Sequence, residues 1–207
     1  HLVINLREMD CTTLVENSVA LVMTLQDNAP GFEKFCDNLA QIRYRRGEIN
    51  GYTSRLHYMA DWINDNQQKG IVKDVTKEAG GLPVDILVNF MSTHPDSYQQ
   101  LKNDPAAVEQ IALQEKAISS RPYYYIPQDQ INKNSYSIRE GDIVCFVTSI
   151  KGLDISHVGF IEYIDGRLTF IHASSSGKKV LENPGTLQEY VENIKANTGI
   201  MLVRFQQ

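Results

Sequence analysis

Ser156-His157-Val158-Gly159-Phe160-Ile161-Glu162-Tyr163-Ile164-Asp165-Gly166-Arg167-Leu168-Thr169-Phe170-Ile171-His172 is the stretch whose reading decides the fold. Two runs rich in β-branched and aromatic residues flank Asp165-Gly166, a pair suited to the positive φ angles of a two-residue hairpin turn. With Ile164 paired to Arg167, Tyr163 faces Leu168, Ile161 faces Phe170, Gly159 faces His172 and His157 faces Ser174. His157 and His172 then share one face as diagonal neighbours, about 7–8 Å apart at the backbone. Opposite His172 stands only Gly159, so one imidazole has room to lean toward the other. A one-residue slip would send His172 to the opposite face.

Outward from this hairpin, the C-terminal half is a series of short β-rich runs: 123–126, 142–149, 157–164, 168–172 and 200–205, with a helix expected over 186–194. The N-terminal half has helical periodicity instead, over 12–25, 32–46, 54–64 and 95–103, with a further run from Pro105. A short strand is expected over 86–90. Helices first and an antiparallel sheet later is an α+β arrangement. Nothing repeats internally and no Pro- or Ser-rich linker divides the chain, so its 207 residues are expected to form one domain, 1–207, since single cores serve chains up to roughly 250 residues.

Composition narrows the function classes. A net charge of −5 argues against a nucleic-acid partner, because phosphate recognition needs a clustered basic face. The one dense basic cluster, Arg43, Arg45 and Arg46, reads as a solvated helix end. No apolar run approaches the roughly 20 residues of a membrane-spanning helix. The chain begins at His1, so a preceding segment such as an export signal is expected. Three cysteines cannot all pair within one chain, and they lack CxxC spacing. Cys36, in a helical pattern with Phe32, Phe35 and Leu39, reads as core; Cys145, in Ile143-Val144-Cys145-Phe146-Val147, reads as a buried strand.

Cys11 is different. In Met9-Asp10-Cys11-Thr12-Thr13-Leu14-Val15-Glu16 it opens a helix that Asp10 can cap, with Leu14, Ser18, Leu21 and Leu25 as the expected inward stripe. A thiol at that end meets unpaired N–H groups and the positive pole of the helix, which favour a thiolate. A buried cysteine beside a polar cap is the plain alternative. The two histidines of the hairpin suit a Cys-His-His relay in which His172 orients His157 and His157 deprotonates the thiol. The alternatives are satisfied core groups or, on a weaker signal, metal ligands with Cys11, since histidine plus cysteine alone has no diagnostic spacing. His57 competes for the base, on an expected helix with Asp61 one turn later; Leu56, Met59, Ala60 and Ile63 form its apolar stripe and Tyr58 and Trp62 pair at i,i+4 on another side. Its other faces could grip a sugar or peptide, or serve only packing and a surface ion pair. His94, before Pro95, is expected in a loop leading into a helix.

Asp10-Cys11-Thr12-Thr13, then Gly141-Asp142-Ile143-Val144-Cys145-Phe146, His157-Val158-Gly159-Phe160-Ile161 and Ile171-His172-Ala173-Ser174, in that order, resemble the signature of NlpC-like cell-wall hydrolases. The resemblance implies a papain-like cysteine hydrolase with the nucleophile, Cys11, at a helix N-terminus, the base, His157, on the sheet and the orienting group, His172, on the next strand. Thr12-Thr13 departs from the Ser-Gly usual after the nucleophile. The helical stretch 46–58 resembles a branch, once a domain of unknown function, associated with N-acetylmuramoyl-L-alanine amidase activity, and the region of about 27–120 is then a helical insertion in the catalytic domain.

The resemblance implies hydrolysis of the amide joining N-acetylmuramic acid to L-alanine in peptidoglycan or muropeptides, by a monomer exported to the cell envelope or periplasm and needing no metal or organic cofactor. The Cys11 N–H becomes the expected oxyanion donor, and Tyr52, Arg55, His57, Asp61 and Trp62 the expected substrate wall. Two rivals stand beside it: a stem-peptide endopeptidase with Asp10 as the acidic partner of a free peptide amine, and a wall-binding module without catalysis.

Overall fold

The computed structural model describes residues 1–206; Gln207, the last residue of the expected domain, lies outside them. In chain order the helices are α1 (Cys11–Leu25), α2 (Phe32–Arg43), α3 (Met59–Gln68), α4 (Phe90–Thr93), α5 (Pro105–Ser119) and α6 (Leu187–Asn193). The strands are β1 (Val72–Asp74), β2 (Leu82–Val84), β3 (Tyr123–Pro127), β4 (Ile143–Thr148), β5 (Ile155–Ile164), β6 (Arg167–Ser174), β7 (Lys179–Glu182) and β8 (Asn197–Phe205). They pair antiparallel in the order β2-β3-β8-β4-β5-β6-β7, with β1 also on β8. The α+β arrangement expected from the sequence is the one observed.

Alternation along the central strands divides the core in two. Ile143, Cys145 and Val147 of β4, with Met201 and Val203 of β8, enter the apolar cluster that α1, α2, α3 and α5 build on one side of the sheet. Val144 and Phe146, with Ile200 and Leu202, enter a second cluster closed by Leu187 and Val191 of α6. Both faces of β4 are covered, which is why its sequence is continuously apolar. Cys145 is fully buried within it.

The β5–β6 hairpin has the expected register: Ile164 pairs with Arg167, Tyr163 with Leu168, Ile161 with Phe170. Asp165 and Gly166 both take positive φ, 51° and 78°. On the other edge of β5 the pairing shifts: Phe146 faces His157 while Val147 faces Ile155, so Ser156 is an extra residue. Such a bulge bends a strand and re-aims the residue beside it, here His157.

Helix α1 starts where expected, in a reciprocal cap: Thr13 N–H donates to Asp10 Oδ1 at 2.7 Å and Asp10 N–H to Thr13 Oγ1 at 2.9 Å. Its expected inward stripe is wrong. Leu21 and Leu25 are exposed, and Val15, Glu16, Val19 and Ala20 are buried, because the helix is rotated to seat Val15 and Val19 against the core. In α2, Phe32 is exposed and Cys36 half-buried, while Phe35, Leu39 and Ile42 fill the core.

The basic cluster is not a solvated helix end. Arg43 Nε donates to Glu16 Oε2 at 2.7 Å, its Nη1 donates to Val3 C=O at 2.7 Å, and both side chains of the ion pair are buried. Arg45 reaches Asp61. Three expected elements also differ. After a 3₁₀ turn, Tyr52–Ser54, residues 55–58 form a non-helical link in which Arg55 bridges to Tyr44, so α3 begins only at Met59 and His57 precedes it. Where a strand is expected over 86–90, residues 86–89 are a loop leading into α4, pinned by Asn89 and Phe90 N–H groups on Gly152 C=O, with one bridge, Val88 to Gly152, and 95–103 keeps only a short turn, Pro95–Ser97.

Removing one partner of a buried ion pair leaves an uncompensated charge, which costs about 3–5 kcal/mol. Glu16→Ala is therefore expected to lower the denaturant midpoint steeply by stranding Arg43, whereas Lys34→Ala, which breaks an exposed pair with Asp27, should leave the midpoint unchanged.

Candidate active site

Cys11 is the first residue of α1, and its sulfur meets the Val158 N–H of β5. The amides of Cys11 and Thr12 occupy the first helical turn, where the helix offers no acceptor of its own. Thr13, beside them, is committed to the cap. Cys11 and His157 line one cleft of about 180 Å³ together with Thr12, Leu56, Met59, Trp62 and Val158.

On the β5–β6 hairpin, His157 Nε2 and His172 Nδ1 are 2.6 Å apart, with the rings edge to face. Gly159 permits this approach: a Cβ there would lie 2.6 Å from Ile171 C=O and 3.3 Å from His172 Cβ. Phe146 stacks near His157, ring centres 5.9 Å apart, and Tyr190 of α6 packs against Phe170 and edge-on to His172. One of the paired nitrogens must donate and the other accept. With His157 Nε2 bonded to His172, His157 Nδ1 is its free nitrogen.

Burial pushes the Cys11 thiol above its ordinary range, against the opposing pull of the Val158 and Thr12 N–H groups and the Thr12 hydroxyl. The thiolate expected at a helix start is thus not the resting form, because desolvation outweighs the helix end. Burial likewise pushes His157 down to about 4, with His172 adding to the effect, and lowers His172. At neutral pH the resting groups are a thiol and two neutral imidazoles.

The expected substrate wall is partly dispersed. His57 and Trp62 do line the cleft. His57 is held by its Nε2 on Tyr52 C=O at 3.0 Å, and burial pushes it down to about 4. Tyr52 is not among the lining side chains; its ring packs on His57, centres 4.4 Å apart. Arg55 turns toward Glu16 at 3.4 Å. Asp61 is buried with Oδ2 on Arg45 at 2.6 Å and Oδ1 on Arg121 at 2.8 Å, so it ties α3 to its neighbours and does not line the cleft. Asp10 caps α1 and borders a second, open groove. His94 follows α4, stacked on Phe90, away from the cleft.

Tyr58, paired with Trp62 on a face that the sequence offered as a possible grip, does line the cleft. Met91 and Tyr98 from the N-terminal half, and Asp154 from the turn before β5, line it with no signal in the sequence. Asp154 accepts from Ala60 N–H at 2.7 Å, capping α3 from across the sheet, and burial raises it to about 6. Tyr58 donates to Glu115 at 2.7 Å, which fixes that wall. Among the described residues, no three His, Cys, Asp or Glu side chains converge to hold a metal ion, and no helix is long and apolar enough to cross a membrane.

Several solved structures share this architecture. A Bacteroides uniformis N-acetylmuramoyl-L-alanine amidase is 39% identical, with a TM-score of 0.95 over 100% of this chain and 89% of that one. A Bacteroides fragilis protein described as a candidate xylanase is 40% identical, TM-score 0.94, over 99% and 90%. A Legionella pneumophila protein at 25% identity has a TM-score of 0.71 over 96% and 76%. No curated protein matches. The family described as N-acetylmuramoyl-L-alanine amidase-like matches residues 1–200, and the chain belongs to that AmiA-like family.

Proposed function

We propose that this protein is a cysteine amidase that hydrolyses the bond between N-acetylmuramic acid and L-alanine in peptidoglycan or its fragments. The observation that carries the reading is the 2.6 Å His157–His172 contact beside a cleft that Cys11 and His157 line together, in a family of amidase-like proteins. Cys11 is the nucleophile, His157 the base and His172 the positioning residue. The domain is papain-like and NlpC-like, spanning 1–207 with a helical insertion at about 27–120. It acts as a monomer, exported to the cell envelope or periplasm, with no metal or organic cofactor.

The chemistry follows from the neutral resting pair. As Cys11 Sγ attacks the lactyl carbonyl carbon, its proton passes to His157 Nδ1, and the growing imidazolium donates Nε2–H to His172 Nδ1. The carbonyl oxygen gains charge beside the Cys11 N–H at the helix start. Collapse breaks the C–N bond, His157 returns the proton to the L-alanine nitrogen, and a muramoyl thioester remains. Water, deprotonated by His157, then hydrolyses the thioester and restores the thiol.

Two features favour this reading over its rivals. A glycosidase needs a pair of carboxylates across its bond, whereas Asp154 is the one carboxylate among the described residues lining the cleft and is committed to Ala60 N–H. An endopeptidase using Asp10 to hold a free amine would need that carboxylate in the cleft, but Asp10 is not among the described residues lining it, and its Oδ1 serves the α1 cap.

Mass spectrometry of products from a defined muropeptide is expected to show free stem peptide beginning with L-alanine; stem fragments with glycan still joined to L-alanine would reject the amidase reading. Cys11→Ala and His157→Ala are each expected to lower kcat by about 10³-fold or more. Unchanged turnover by Cys11→Ala, with wall binding preserved, would instead identify a binding module. His172→Asn, which can still accept from His157 Nε2–H, should retain more activity than His172→Ala.

The base works only when neutral, and its proton leaves at about pH 4, so kcat/KM should hold its plateau down to mildly acidic pH and fall only near pH 4. Iodoacetamide labelling of Cys11, located by peptide mass spectrometry, should climb with pH through the neutral range. A kcat/KM midpoint near 6.5 or a pH-independent labelling rate across neutrality would contradict the neutral pair.

A further inference from the structure

Cys11 and the residue before it, Asp10, line two spaces that differ in charge. The cleft of Cys11 is walled by Trp62, Tyr58, Tyr98 and aliphatic side chains, and among its described lining residues the only carboxylate is Asp154 and there is no lysine or arginine. The groove of about 600 Å³ that Asp10 borders runs between the N-terminal segment and the β6–β7 turn. Its walls carry Arg7, Lys178 and Lys179, with Ser174 and Ser175 between them. All three cations are exposed, and none takes part in an ion pair among the described residues. Glu8 and Asp10 share the groove, but Asp10 is tied to Thr13, and the local balance is positive on a chain of net charge −5.

This groove adjoins the reacting groups through the chain itself. Asp10 precedes Cys11, and Ser174 lies two residues beyond His172. Ser174 Oγ accepts from Gly177 N–H at 3.1 Å, which sets the turn that projects Lys178 and Lys179. The two halves of the proposed substrate differ in the same way as the two spaces. The muramoyl sugar is neutral with apolar faces, whereas the stem peptide carries a free α-carboxylate on the γ-linked D-glutamate that follows L-alanine. That carboxylate lies one residue beyond the scissile amide, and consecutive residues advance by about 3.8 Å. An anion is disfavoured beside Asp154 and favoured beside unpaired cations.

We infer that the groove between the N-terminal segment and the β6–β7 turn is the stem-peptide subsite, and that Arg7, Lys178 and Lys179 select a free carboxylate on the second stem residue. The sugar then occupies the aromatic cleft. The inference rests on the amidase reading for the identity of the substrate, and it deepens that reading by giving the bond a direction across Cys11.

The test uses the Cys11→Ala protein, which keeps ligand intact, and isothermal titration with N-acetylmuramoyl-L-alanyl-γ-D-glutamyl-L-lysine and its analogue amidated at the glutamyl α-carboxylate, the lysine carboxyl being amidated in both. The acid should bind more tightly by about tenfold or more, the scale of a charge-assisted contact. Adding Lys178→Glu and Lys179→Glu should erase that preference, and Lys178→Arg with Lys179→Arg should restore it; both positions are exposed, and unchanged thermal midpoints verify the fold. Equal affinity for the two ligands, binding of neither, or a preference that survives charge reversal overturns the inference. Failure of the amidase reading is separate: the unsubstituted protein would leave the muramoyl–alanine bond uncut.

Discussion

Everything at the site depends on the register of one hairpin. Asp165-Gly166 sets the pairing of Ile164 with Arg167, and the twofold alternation of the strands then carries His157 and His172 onto the same face. Their 2.6 Å contact requires Gly159, because any side chain there would collide with the Ile171 carbonyl. The Ser156 bulge adds the last adjustment, since it lets His157 border the cleft of Cys11 while still meeting His172. The helical half supplies the other party: the Asp10–Thr13 cap sets where α1 begins, and the buried Glu16–Arg43 pair clamps α1 to α2.

The electrostatics give the site a particular working mode. Burial alone would keep both thiol and imidazole neutral, and that state stores no ion pair for substrate to disrupt. In the proposed reaction charge appears only as sulfur bonds to carbon, at which moment the Cys11 amide and the His172 ring are already in place. Stabilisation aimed at charge that develops during reaction lowers the barrier more than stabilisation of the resting state.

The parts legible in the sequence were those governed by local pairing. The hairpin turn, the continuous apolar run of β4, the α1 cap and the capped helix Leu187–Asn193 follow from residues close together in the chain. What escaped was decided by distant partners. The bulge at Ser156 depends on how β5 pairs with β4 and on the Ser156 hydroxyl reaching Asn197, 41 residues away, and Asp154 reveals its place only when Ala60 folds onto it. Asp61 looked like a cleft residue because its two arginine partners lie 16 residues before it and 60 after. The exposed edge strand Leu82–Val84 has too little burial to leave a pattern, while Ile86 and Val88 mimic a strand because a loop carries both into the core. The thiolate expectation failed for a similar reason: the helix end is local and legible, but the burial that opposes it is tertiary.

The central claim is that a sulfur at the head of α1 takes the acyl group from the muramoyl side of the bond. Intact-protein mass spectrometry during rapid quench of a muropeptide reaction tests it directly, with peptide mapping to place the adduct. The account predicts a transient gain equal to the muramoyl acyl group, on Cys11, formed as the L-alanyl peptide is released. An adduct carrying stem peptide, an adduct on another residue, or turnover with Cys11 never acylated would contradict it.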